Sequence, residues 1–115
     1  MALTNFGPTI CVMENSSGQD LQVLFLSAYP SRYETYELAS FTLRNNESRD
    51  TPEFLNNSYL ILKSINGTSI GNIYITVRPG IDAQAVEVDA NADRTIVRIY
   101  VSNFGVDIYI DSASN

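Results

Sequence analysis

Aliphatic and polar residues alternate through three segments of the C-terminal half, 73–77, 97–101 and 106–110. A period of two marks a strand, because successive side chains leave opposite faces of the pleat. In each segment the aliphatics share one face, and Tyr74, Tyr100 and Tyr109 fall on the other. Residues 9–13, 21–26, 39–43, 58–65 and 85–88 are further short apolar runs bounded by turn residues, and they read as strands too. The run 21–26 is apolar on both faces, which places it inside a sheet. Seven to nine short strands, with turn signals roughly every eight to twelve residues, predict an all-β antiparallel β-sandwich of jelly-roll or immunoglobulin-like type.

The turns carry the connectivity. Asn15-Ser16-Ser17-Gly18-Gln19 predicts a hairpin between 9–13 and 21–26, since Asn and Ser bond their own backbone and Gly supplies positive φ. Asn66-Gly67 is the strongest two-residue hairpin signal, although 69–72 suggests a longer loop before a strand at Ile73. A hairpin around Asn103-Phe104-Gly105 sets Val101 opposite Val106, Ile99 opposite Ile108 and Val97 opposite Ile110 on the inside. Outside, the same register sets Tyr100 opposite Asp107 and Arg98 opposite Tyr109, an arrangement suited to a cation–π pair. Tyr29, Tyr33 and Tyr36 recur at spacings of four and three, which fits a helical turn or two. A strand or loop crossing between sheets is the preferred reading there. Pro52 is expected to open a single helical turn through Phe54-Leu55, capped by Asp50 or Thr51. Residues 1–8, ending in Gly7-Pro8, read as an extended N-terminal arm before a sandwich domain at 9–115.

Composition narrows the partners. A chain of 115 residues, 44% of them hydrophobic, suffices for one core without disulfide staples, and Cys11 has no cysteine to pair with. Thirteen acidic against seven basic residues give a formal charge of −6, which disfavours nucleic acid and anionic lipid. No apolar run approaches the roughly 18 residues of a spanning helix. The first eight residues lack the basic and apolar regions of a signal peptide. Charged residues make up only 17%, against a usual figure of about 25%. Lys63 is the sole lysine, and Asn, Ser and Thr supply the remaining polarity. That balance points to an extracellular, cell-surface or virion-like particle setting.

Candidate chemistry is sparse. The chain has no histidine, which removes the commonest general base and any Ser–His or Cys–His nucleophile pair. Cys11, between Ile10 and Val12 in a strand pattern, reads as a buried thiol and not as a nucleophile. No phosphate-binding glycine loop is present. The expectation is a protein that is not an enzyme and needs no cofactor. Asp89, Asn91 and Asp93 place oxygens at alternate positions, as a calcium loop does. Arg94 and Tyr100 break the EF-hand pattern, so an ordinary Asx-rich turn is preferred over a Ca²⁺ site. Asn15, Asn46, Asn56 and Asn66 each begin a glycan acceptor triplet, as chance allows in a chain so rich in Asn and Ser.

The tyrosines have functional reach. A tyrosine offers a flat apolar ring and a polar tip at low entropy cost, which suits protein interfaces and sugar sites alike. The competing reading is that Tyr covers a half-exposed sheet through strand propensity alone. The interface or ligand face is therefore expected at Tyr74, Arg98, Tyr100 and Tyr109, joined by Leu3 and Phe6 of the arm laid along a neighbour's sheet edge. The leading expectation is a structural, self-assembling subunit of a fibre, coat, capsid or surface layer. The alternative is a carbohydrate-binding, lectin-like module, with or without calcium. A membrane-active sandwich is a poorer third, because the charge opposes it.

Overall fold

The computed structural model describes residues 5–28, 34–76, 84–88 and 92–113. Among them are ten strands and no helix: β1 (Asn5–Ser16), β2 (Leu21–Ala28), β3 (Thr35–Leu43), β4 (Ser48–Asp50), β5 (Phe54–Asn56), β6 (Ser58–Ser64), β7 (Ser69–Thr76), β8 (Gln84–Glu87), β9 (Arg94–Ser102) and β10 (Gly105–Ala113). They form two sheets facing each other across one core, an all-β sandwich as the alternation predicts. The first sheet runs β10-β9-β1-β4, with β5 also pairing β1, and the second runs β3-β2-β6-β7-β8. Most neighbours are antiparallel. The exceptions are β1 with β9 and β7 with β8, which are parallel.

The strands form where inward aliphatics recur every second residue. Cys11 and Met13 from β1, with Val97, Ile99 and Val101 from β9, meet Leu21, Val23, Phe25, Leu60, Leu62, Ile73 and Ile75 from the second sheet. Phe25 and Phe54 join the sheets at a ring separation of 4.9 Å. β2 does lie inside its sheet, between β3 and β6.

Several expectations are corrected. β1 and β2 do not form a hairpin. They belong to different sheets, and the turn after Ser16 carries the chain across the sandwich. Both strands turn their aliphatics toward the same core, from opposite sides of it. Residues 5–8 are not a free arm. They are the first turns of the ladder in β1, where Asn5 stands opposite Asn56. Residues 1–4 lie outside the described residues. Of the segment 28–38, residues 29–33 lie outside the described residues; from Thr35 on it is strand β3, which pairs with β2 in the same sheet, with a bulge between Phe25 and Leu26. β7 begins directly at Ser69, so the loop at Asn66-Gly67 is short, and Gly67 adopts a φ of 90° there that side chains resist.

No helical turn follows Pro52. Phe54 sits in strand β5, where alternation delivers its ring to Phe25. Pro52 has no N–H to give a ladder, and the edge beside β1 splits there into β4 and β5. Thr51 fills the gap. Its hydroxyl accepts from the Cys11 N–H at 2.9 Å, and its own N–H donates to the Cys11 carbonyl at 2.9 Å.

Candidate functional site

The outer face of the first sheet follows from the β9–β10 register, which is the one the alternation predicts. Val106 stands opposite Val101, Asp107 opposite Tyr100, Ile108 opposite Ile99, Tyr109 opposite Arg98 and Ile110 opposite Val97. Tyr100 and Tyr109 meet edge to face, with centroids 5.7 Å apart. The cross-strand neighbour of Arg98 is Tyr109, but its guanidinium Nε donates to Asp111 Oδ2 at 2.8 Å. That hydrogen bond raises the Arg98 pKa, against an opposing effect of lost water. The pair is exposed and adds little stability. On the far side of β9, Val12 stands beside Arg98 and Glu14 beside Tyr100.

Tyr74 is not part of this face. It lies on the outer side of the second sheet, where β6–β7 pairing sets it opposite Tyr59, the rings stacked at 4.5 Å. The sandwich therefore carries two separate tyrosine faces. Tyr59 was legible in principle, since centring the hairpin on Asn66-Gly67 puts residue 59 opposite residue 74. Tyr36 is exposed on β3, while Leu3, Tyr29 and Tyr33 lie outside the described residues. Phe6 falls in the paired strand β1. Asp89 and Asn91 also lie outside them. Asp93 is exposed just before β9, and no grouping of three metal-ligating side chains occurs among the described residues.

Cys11 is sealed in the core, and burial pushes its thiol far above the ordinary range. It stays a neutral thiol with no path to solvent. Asn15 is likewise structural. It is fully buried, and its Nδ2 donates to the carbonyls of Gln19 at 2.8 Å and Leu43 at 3.0 Å. Its Oδ1 accepts from the Ser17 N–H at 3.0 Å and the Ser17 hydroxyl at 2.6 Å. One amide thus fastens the crossing turn to both sheets, and that use excludes it as a glycan acceptor.

Two nine-residue strands lie at sheet edges, and they differ. β3 is interrupted by its bulge, and the Arg49 guanidinium covers its Phe41 ring at 4.1 Å. β10 pairs with β9 through nine consecutive positions without a bulge, and it contains no proline and no lysine. Its other edge has no partner strand among the described residues. Bulges, prolines and charges are how sheets guard an edge, and β10 has only the outward charges of Asp107 and Asp111, with none on its core side. Val106 and Ile108 on its core side are half-buried and Ile110 is 40% exposed.

No family model matches the chain, and no curated protein matches it. Among solved structures, it is similar to the NMR structure of a protein from Eubacterium rectale, at 12% identity and a TM-score of 0.40, over 90% of this chain and 87% of that one. It is also similar to the crystal structure of a "putative cell adhesion protein" from Bacteroides uniformis, at 9% identity and a TM-score of 0.43. That match covers 93% of this chain and 50% of the other, so the chain spans about half its length. No helix among the described residues is long and apolar enough to cross a membrane.

Proposed function

We propose that the chain is a non-enzymatic building block that assembles with copies of itself, in an extracellular, cell-surface or particle setting. The observation that carries this reading is the open, bulge-free edge of β10, a template for strand addition with a line of partly exposed aliphatics along it. The absence of histidine and the sealed Cys11 support the non-enzymatic part, and the single lysine among abundant Asn, Ser and Thr supports the setting. Contact passes through a strand edge, flanked by Tyr100 and Tyr109, and not through a free arm. The full chain, followed by size-exclusion chromatography with light scattering and by negative-stain microscopy, is expected to form regular assemblies as concentration rises. Ile110→Lys, which puts a charge on the rim of that edge, is expected to leave a monomer with the same melting temperature within a few degrees. A wild-type chain that stays monomeric at every concentration overturns the reading.

A groove on the second sheet favours a second reading, saccharide binding. On its outer face Gln22, Leu24, Ser40, Thr42, Ile61 and Lys63 line an open groove of about 470 Å³. Cross-strand pairing sets Leu24 between Ser40 and Ile61, and Gln22 between Thr42 and Lys63. An apolar floor with donors and acceptors at its rim suits the C–H face and hydroxyls of a sugar. Titration of ¹⁵N-labelled protein with cellobiose, lactose and maltose is expected to shift the amides of Leu24, Ser40 and Ile61. Unmoved spectra with all three remove this reading.

A further inference from the structure

We infer that β10 pairs antiparallel with β10 of a second copy about a two-fold axis at Ile108, an inference that rests on the assembly reading above. The edge is long enough and open enough for such pairing, and its own sequence selects the register. In a symmetric antiparallel pair, facing residues point to the same side of the sheet, so the inward positions 106, 108 and 110 must face one another across the axis. Registers displaced by a single residue put aliphatics opposite the outward Asp107, Tyr109 and Asp111 and are excluded. An axis through Tyr109 sets Asp107 opposite Asp111 twice, and an axis through Asp107 sets that aspartate against itself. Like charges directly opposite are destabilising. An axis through Ile110 avoids this but leaves Ile108 facing Ser112 and Val106 beyond the paired region.

The axis through Ile108 satisfies every constraint. Ile108 faces its own copy, Val106 faces Ile110, and Asp107 faces Tyr109 on the outside. Half-exposed aliphatics are then covered on both chains, and the first sheet continues unbroken into the second molecule. The same register brings the hairpin tip of each chain alongside the end of the other strand. Phe104, 94% exposed and without a packing role in the single domain, comes within diagonal reach of Ile110 in the other copy. That register gives a large exposed ring something to cover.

Disulfide trapping tests the register in the full chain. Asp107 and Tyr109 are exposed, and Cys11 is too deeply buried to interfere. An equimolar mixture of Asp107→Cys and Tyr109→Cys chains, oxidised with oxidised glutathione, is expected to yield cross-linked dimer several-fold faster than either variant alone. Asp111→Cys alone is the distant control, since the proposed axis separates its two copies by six residues along the strand. If Tyr109→Cys alone cross-links fastest, the axis lies at Tyr109 and this inference fails. If every combination cross-links slowly while the wild-type chain assembles, β10 is not the joint: this inference fails, and self-assembly stands through another surface. A wild-type chain that never assembles defeats the assembly reading itself.

Discussion

Asn15→Asp is expected to destabilise the domain by about 3 kcal/mol at neutral pH, because the buried Leu43 carbonyl loses a donor worth about 1–3 kcal/mol and a buried carboxylate is set against it and against the part-buried Gln19 carbonyl. The change alters no volume. It replaces an Nδ2 that donates to Gln19 and Leu43 with an oxygen facing the same two carbonyl oxygens. The Ser17 hydroxyl and N–H remain satisfied, so the loss is confined to one side of the group. Domains of this size are stable by only about 5–15 kcal/mol, so the fall in melting temperature should exceed about 10 °C. The pH dependence identifies the cause. A buried carboxyl facing carbonyls holds its proton more tightly folded than unfolded, so its folded pKa is raised. The folded state then binds more protons, and stability falls as pH rises above the unfolded value of about 3.9. Urea melts of the variant should therefore show a smaller penalty at pH 4 than at pH 7. A penalty that is small, or unchanged between those pH values, contradicts the role given to Asn15.

Phe25→Ala is expected to cost about 3–5 kcal/mol, the range for emptying a fully packed aromatic site. Phe25 has no exposure, and its ring packs at 51° against Phe54, the inward residue of the short strand β5. β5 has only three residues and pairs β1 at two positions, so its place depends more on that ring contact than on its ladder. Loss of the ring leaves a cavity between the sheets and releases that strand. Equilibrium urea unfolding of Phe25→Ala measures the first effect, and hydrogen exchange of the Phe54 amide measures the second. Phe104→Ala in dilute solution is the contrast, expected within about 0.5 kcal/mol of wild type because its ring packs against nothing in the single domain. Equal penalties for the two variants would mean that the core is not centred where Phe25 places it.

Local chemistry was the legible part of this fold. The β9–β10 register could be written down in advance because alternation fixes faces and a two-residue turn fixes opposition. What alternation does not fix is the neighbour. Met13 and Val23 both point inward whether β1 and β2 share a sheet or face each other, so a turn rich in Asn and Ser passed for a hairpin. The parallel pairing of β1 with β9 leaves no local mark, since nothing at Thr9 identifies Thr95. The same limit divided the tyrosines. Outward orientation was readable for Tyr74, Tyr100 and Tyr109, but not that Tyr74 belongs to the opposite sheet. Asn15 looked like turn chemistry because its distant carbonyl partner, Leu43 on β3, is supplied by the tertiary fold. The groove residues Gln22, Ser40 and Lys63 come from three strands, so only the assembled sheet brings them together.

The parallel contact between β1 and β9 also sets an order of events during synthesis. Strands β2, β3, β6 and β7 are close along the chain and can zip together while translation continues, and β1 meets β4 and β5 on one side, but on its other side Thr9 waits for Thr95, eighty-six residues later. Distant closures of this kind slow folding. Strand β1 would therefore leave the ribosome as a half-paired strand, its second edge bare until β9 follows it out.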